Sequence, residues 1–278
     1  MINLPGELFE DDSDSDLVTG LELYEAKEWE KALPSLELAA LKGNVTAIFK
    51  LANSLDNLDR EDEAIPLWEA AAEWGHLGAC NNFAIRLRNV GDIDGARELY
   101  RKSAAAGNAQ SMFNLAQTYD EETETDKFLE WLLLAKDAGM HRAQAMLGDH
   151  YFKHGLPLEG TQLLEEAMEK GSLSAHILAG RIAYQNDDFE RAYRIANDAL
   201  DLPLVDDDKH LVPNAHMIRG LSGDHLGHRE QAISDVKIAK DMGFDVSIAP
   251  LYLRVPKTTQ RVPAPHSSQA AHHYLTLS

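Results

Sequence analysis

The stretch AIPLWEAAAEWGHLGACNNFA, residues 64–84, has Gly75 near its centre and small or apolar residues at helical spacings on both sides. Glycine recurs in the same phase, always 32 residues apart, at Gly43, Gly75, Gly107, Gly139 and Gly171. Four equal steps indicate an internal repeat, and periods of this length are typical of helical solenoids. The fold of the chain can therefore be predicted from the sequence of one 32-residue unit.

Other positions keep the same phase as the glycine. Four residues after it the side chain is small, at Ala47, Ala79, Ser111, Ala143 and Ala175. Eight residues after it stand Leu51, Phe83, Leu115, Leu147 and Ala179, and twelve after it stand Leu55, Leu87, Tyr119, Tyr151 and Ala183. Because these offsets are helical and are interrupted once, each unit is predicted to be two short amphipathic helices joined by a turn.

The repeating glycine falls where the second helix of each unit should end, in the left-handed conformation that glycine adopts without a Cβ clash. The step from Gly171 to Gly243 exceeds two periods by eight residues, which predicts an insertion near 201–214. We predict three segments: an acidic N-terminal segment over 1–13, seven helix pairs over 14–244, and a basic, Pro-containing and partly disordered tail over 245–278.

At these residues a family resemblance becomes visible. The roles of Ala64, Trp68, Gly75 and Ala79 in the quoted stretch resemble the Sel-one-like repeat, a relative of the tetratricopeptide repeat, and RKSAAAGNAQSMFNLAQTY (101–119) is similar. The turn between the two helices is shorter than is typical of Sel-one-like units, and the last unit, 220–233, reads more like an ordinary tetratricopeptide repeat. Pro34 and Pro66 share a phase, and they would be tolerated only near the first turn of a helix.

The resemblance implies an all-α solenoid of about seven antiparallel helix pairs, wound as a right-handed superhelix. In that superfamily the first helices line a concave groove that holds a peptide or protein, so we predict a protein-binding scaffold. The polar residues that phase places in the groove are Asn53, Asn57, Asn81, Arg88, Asn89, Gln117, Arg142, Asp149, Lys153, Arg181 and Gln185. Asparagine and arginine can bond to the backbone or carboxylates of an extended peptide.

Composition narrows the function classes. The net charge is −20, which argues against a broad nucleic-acid binder and against docking on an anionic membrane. The single cysteine, Cys80, excludes an internal disulfide. We see no export signal and no apolar stretch long enough to span a bilayer, so a cytoplasmic protein, with a monomer as the default, is expected.

No catalytic motif or phosphate-binding loop is apparent, so we predict a non-enzymatic protein without a cofactor or metal. Two alternatives remain open. The charge suits an acidic decoy that mimics nucleic acid and occupies a basic surface of another protein. His150 and His154 are four residues apart on a helix and could face one metal in a hydrolase, although no third ligand is placed by sequence.

Overall fold

The protein was described from a computed structural model, which covers residues 14–203 and 206–245. Over these ranges the chain is all-α, and its helices form two compact units that divide after Met140. The first unit contains α1 Ser15–Glu25, α2 Trp29–Leu41, α3 Val45–Asn57, α4 Glu61–Glu73, α5 Leu77–Asn89, α6 Ile93–Ala105, α7 Ala109–Ala116 and α8 Thr125–Asp137.

The second unit contains α9 His141–Lys153, α10 Pro157–Glu169, α11 Leu173–Gln185, α12 Phe189–Leu200, α13 Val212–His225 and α14 Arg229–Asp241. A 3₁₀ helix, Asp206–Leu211, lies between α12 and α13, within the segment where the extra residues were predicted. The predicted fold class is confirmed, since the described residues hold four helix pairs in one unit and three in the other. The acidic segment 1–13 and the tail beyond residue 245 lie outside the described residues.

The repeating glycines end the second helices in the left-handed conformation, with φ between 77° and 89° at Gly43, Gly75, Gly107, Gly139, Gly171 and Gly243. The residue after the glycine lies directly before the first helix of the next pair. Asn44, His76, Asn108 and Ser172 each accept a hydrogen bond from the backbone N–H three residues further on. In four repeats one dipeptide thus stops one helix and caps the next.

A second left-handed position lies in the turn inside six of the seven described pairs, all but α7–α8, and the glycine period does not reveal it. It is occupied by Lys27, Asp59, Gly91, Gly155, Asp187 and Gly227, with φ from 58° to 89°. Half of these residues are not glycine, although an L side chain is strained in this region. The geometry of the repeat therefore selects the conformation there more strongly than the residue type does.

The core is built from small residues that let the helices approach and from large residues that fill the spaces between them. In α2, α4 and α6 the equivalent residues Ala32, Ala64 and Ala96 are fully buried. Trp68 and Tyr100, one repeat apart, are buried to 1% and 0% exposure. Because small and large side chains pack against each other in this core, some repeat positions hold only small residues and others hold large ones. Within the described residues, no helix combines the length and apolar character that crossing a bilayer requires.

Helix α7 has 8 residues, whereas α3, α5, α9 and α11 have 13 each. The cause is Asp120, whose Oδ1 accepts bonds from the N–H groups of Glu122 at 3.1 Å and Thr123 at 2.8 Å. A side chain that offers the backbone such partners competes with the helix. Arg97 holds the resulting loop by pairing with Glu124 at 2.9 Å.

The two in-phase prolines lie deeper than the first turn. Pro34 is the sixth residue of α2, and Pro66 is the sixth residue of α4. At that depth each proline deprives the carbonyl four residues earlier of its helical donor. Both side chains face solvent, so the core gains nothing from them in exchange.

Candidate protein-binding surface

The candidate surface is formed by the helix that comes first in each pair. We call this surface the first-helix face of a unit. It consists of α1, α3, α5 and α7 in the N-terminal unit and of α9, α11 and α13 in the second unit. In the first unit a row of side-chain amides joins these helices. Asn82 Nδ2 donates to Asn53 Oδ1 over 2.9 Å, and Asn114 Nδ2 donates to Asn81 Oδ1 over 3.0 Å. Asn81 also donates to Asn82 over 3.3 Å. We call these four residues the amide ladder.

The ladder is tied to other elements at both ends. Asn53 Nδ2 donates to the Tyr24 hydroxyl over 3.4 Å, and Asn53 Oδ1 accepts from Trp68 Nε1 over 2.8 Å. At the other end the Ser111 hydroxyl donates to Ser103 over 2.8 Å, and it lies 3.2 Å from Asn81 Oδ1. Buried polar groups stabilise a fold only when they are satisfied in this way. The ladder therefore fixes the spacing of α1, α3, α5 and α7.

Arg86, on the first helix α5, links the same region to α3 and to the second helix α4. Its guanidinium lies 5.2 Å from the Trp68 ring and pairs with Asp56 at 2.5 Å and with Glu61 at 2.8 Å. Burial raises the pKa of Asp56, and the nearby Arg86 charge opposes that rise. Arg86 is half-buried, so it acts mainly between helices.

The predicted residues at the ends of these helices face solvent. Asn57, Asn89 and Gln117 are exposed. Arg88 is half-buried, and its Nη1 donates to Gln117 Oε1 across 3.4 Å, from α5 to the residue after α7. Asn57 Nδ2 donates to the Asn53 carbonyl over 2.7 Å. The outer edge of the face thus offers amides and one guanidinium that neighbouring contacts position.

Charge is unevenly distributed in the first unit. Helix α4 carries five acids and no base, namely Glu61, Asp62, Glu63, Glu69 and Glu73. Helices α3, α5 and α7 together carry three bases, Lys50, Arg86 and Arg88, and one acid, Asp56. These three first helices are therefore net basic within a chain whose charge is −20.

In the second unit, the predicted residues form a buried ion group. Arg181 on α11 is 5% exposed and pairs with Asp149 on α9, which is 8% exposed. Lys153 Nζ lies 2.8 Å from Asp149 Oδ2 and faces solvent. Because a buried charge is costly without a partner, this group links α9 to α11.

Arg142 and Gln185 lie at opposite ends of the same face. Arg142 is at the start of α9, and its Nη2 bonds to Asp208 Oδ1 over 2.7 Å, which ties the 3₁₀ helix to this face. Gln185 is half-buried at the end of α11. The insertion thus reaches one of the predicted binding residues.

The histidines singled out by spacing lie in aromatic stacks. The rings of His150 and His154 stack with centroids 4.0 Å apart, and His154 Nδ1 lies 2.8 Å from the His150 carbonyl oxygen. Another histidine, His225, stacks on Phe189 with ring centroids 3.9 Å apart. These contacts explain the positions of the rings as packing, and metal binding by His150 and His154 stays an open alternative to the predicted absence of a metal.

Sequence reasoning missed Asn82, Asn114, Arg86 and Trp68 as members of the site. A signal was available for two of them, because Asn82 and Asn114 are one period apart and so occupy the same repeat position. The sequence analysis also predicted Asn81, Asp149 and Arg181 as groove residues, whereas the structure shows that all three are buried.

The architecture can be compared with known proteins. No family model matches the sequence, and no curated protein does. Among solved structures, c5321, a protective antigen of uropathogenic Escherichia coli with an SLR fold, superposes with a TM-score of 0.63 at 21% identity over 82% of this chain. The chain spans about half (54%) of the length of that protein.

Two further structures agree. A Sel1 repeat protein from Oxalobacter formigenes gives a TM-score of 0.57 at 20% identity, over 81% of this chain and 98% of that one. A tetratricopeptide repeat protein from Parabacteroides merdae gives 0.60 at 12% identity, over 84% and 93%. The chain has the Sel1-like and tetratricopeptide-like helical-repeat fold. The fold inferred from the sequence resemblance is thereby confirmed, and at these identities the likeness concerns the fold alone.

Proposed function

We propose that this helical-repeat protein is a non-enzymatic adaptor that binds an extended segment of a partner protein along the first-helix face of α3, α5 and α7. The observation that supports this most directly is the amide ladder. It holds the three helices at fixed spacing, and Asn57, Arg88, Asn89 and Gln117 stand at the outer edge of the same helices. A rigid support of this kind reduces the entropy that binding costs.

The chemistry of the face suggests how the segment is held. Exposed amides both donate to and accept from a peptide backbone, and a guanidinium binds carboxylates. Because α3, α5 and α7 are net basic, a segment that carries acids is favoured over a basic one. The buried residues Asn81, Asp149 and Arg181 act in this proposal as supports that position the surface, without touching the partner.

The second unit offers a related set of contacts on its own first-helix face. Lys153 is exposed and Gln185 is half-buried, so both can reach a partner. Arg142 contributes only when Asp208 releases it, because the two side chains are bonded at 2.7 Å.

Matched charge reversals test the proposal. The full chain is used as bait in an affinity purification, as wild type, as Arg88→Glu and as Lys31→Glu. Lys31 lies on α2, and its side chain is 72% exposed, so its reversal changes the net charge equally but lies on a second helix. We expect a partner that wild type and Lys31→Glu recover and Arg88→Glu loses. Equal recovery with all three baits would refute the assignment to this face.

A second candidate, the acidic decoy, is favoured by the five acids of α4. Three of them lie in the first turn, where the helix dipole favours negative charge, and this offers a purely local reason for their presence. A decoy predicts that Glu69→Gln with Glu73→Gln weakens partner recovery and that binding collapses as salt is raised. The adaptor proposal predicts that this double variant binds like the wild type.

A further inference from the structure

A cleft of about 90 Å³ opens into the core of the second unit, between α10, α11 and the start of α12. Its floor is apolar and is formed by Phe152, Leu164, Ala179, Ile182 and Ala183. Its rim is polar and includes Glu165, Asn186, Asp188 and Arg191. The cleft is lined by α9 and α11 as well as by α10 and α12, all in the second unit, so it is separate from the face of α3, α5 and α7 on which the proposed function rests.

The cleft arises because one repeat lacks two large side chains. In three other repeats the position of Ala179 holds a leucine at 0% exposure, Leu51, Leu115 or Leu147, and in a fourth it holds the half-buried Phe83. The position of Ala183 holds Leu55 and Tyr119, which are largely buried. Ala179 is 8% exposed although it is much smaller, so solvent reaches a place that other repeats fill. A void of this kind loses the packing contacts that its lining would otherwise make.

Neighbouring contacts prevent the helices from closing the gap. A Cβ atom on Gly160 would lie 2.5 Å from the Gly148 carbonyl oxygen, so α10 already lies against α9 at backbone distance. On the other side Arg191 Nη2 bonds to Glu165 at 3.0 Å and ties α12 to α10 across the rim. These contacts bound the cleft on two sides.

We propose that this cleft binds one aliphatic side chain of leucine size from a partner protein, with a basic residue next to it in the partner sequence. The floor supplies apolar contact, and burying such a side chain there would restore the packing seen in other repeats. At the rim, Glu165 and Asp188 outnumber Arg191, which is already bonded to Glu165. That excess of acid favours a neighbouring base, and the exposed Asn186 amide is available to the partner backbone.

The first test is an NMR titration of the isotopically labelled full chain with capped dipeptides. Acetyl-Leu-Arg-amide should shift the signals of Phe152, Ile182 and Ala183 in a saturable manner. Acetyl-Leu-Glu-amide should bind more weakly because of the acidic rim, and acetyl-Ala-Arg-amide should cause no saturable shift. Absence of saturable shifts with the Leu-Arg probe, or equal shifts with the Ala-Arg probe, overturns the proposal.

Filling the cleft provides the matched variant. Ala183→Leu introduces the residue found at Leu55, and it should weaken Leu-Arg binding at least about tenfold. An unfolding midpoint at or above that of wild type would show that this variant folds, and Ala179→Leu serves as a second filling variant if it does not. Leu158→Ala, at an exposed position outside the cleft, should leave binding unchanged.

Two control substitutions distinguish the cleft from the first-helix face and from the tail of the same chain. Arg88→Glu should leave the titration unchanged, so failure of the cleft and failure of the first-helix face are distinguishable. Leu253→Ser in the tail should leave the cleft signals of the free chain unchanged. If that substitution shifts them, the tail of the same chain fills the cleft and the proposal of a separate partner is wrong.

Discussion

The Nδ1 atom of His76 accepts a hydrogen bond from the backbone N–H of Ala79 over 3.2 Å and thereby caps α5. The imidazole also stacks on Phe49, with ring centroids 4.2 Å apart. Burial lowers the pKa of His76, and the positive charge of Lys50 lowers it further. A protonated imidazole has no acceptor, so the cap exists only in the neutral form.

This cap should make stability depend on pH. The pKa of His76 is lower in the folded state than in the unfolded state, whose ordinary value is 6.5. Its contribution is therefore complete above that value, and it declines as the pH falls from there toward the folded pKa. We expect the unfolding free energy of His76→Asn to differ less between about pH 7.5 and about pH 5.5 than that of the wild type does.

Urea denaturation at the two pH values checks this expectation. Asn44 caps α3 in the same way with an acceptor that does not titrate, so Asn44→Ala should cost the same at both. An unchanged pH dependence in His76→Asn would show that the imidazole remains neutral throughout this range or contributes no cap.

Removal of Asn81 should destabilise the first unit. Asn81→Ala deprives the Asn114 amide of its acceptor and leaves polar groups buried without this partner, at a cost of about 1–3 kcal/mol. Asn89→Ala, on the exposed end of the same helix, should change the unfolding free energy by less than about 0.5 kcal/mol. Equal effects of the two substitutions in chemical denaturation would mean that the ladder does not stabilise the fold.

The buried pair of Asp149 and Arg181 should respond asymmetrically. Asp149→Leu takes from the Arg181 charge its carboxylate partner on α9 and should cost about 3–5 kcal/mol. The double variant Asp149→Leu with Arg181→Met should recover much of that loss, because apolar replacements for a buried pair are often neutral. A double-mutant cycle by denaturation measures the coupling, and simple additivity would contradict it.

Replacement of a helix-interior proline should stabilise the protein. Pro66→Ala restores the missing donor in the second turn of α4 and should raise the unfolding free energy by about 1–3 kcal/mol. Pro157 is the first residue of α10, where a proline is tolerated, so Pro157→Ala is the control and should have little effect. Thermal unfolding compares them, and a lower midpoint for Pro66→Ala would show that Pro66 has a packing role.

The repeat made the fold predictable because its period is long and its glycines have a backbone reason to recur. Gly43 and its counterparts mark the ends of the second helices through their spacing alone, and each of them has the left-handed φ that this position requires. The turn inside each pair was predicted, but its left-handed position was not, since Lys27, Asp59 and Asp187 adopt there the same conformation as the glycines of other repeats. The short α7 was missed because the bonds of Asp120 that end it are local and have no period.

The candidate site was less predictable than the fold. The position of each residue within the repeat identified the helices that carry polar residues. It did not show which of these side chains point between helices. Asn81 and Asn89 are both asparagines on α5, yet the first is buried in the ladder and the second is exposed. That difference depends on the neighbouring helix, where Asn114 supplies a partner.

The amide ladder also limits how the length of this chain can change. Its links between helices join residues 29 or 33 positions apart, each close to one repeat of 32. Deleting or duplicating a whole repeat would leave a comparable partner within reach of each amide, whereas a change of any other length would bring unlike residues together. The stretch that the ladder joins, residues 53–114, can therefore keep these bonds only if its length changes by whole repeats, and the ladder selects against insertions or deletions of other lengths there.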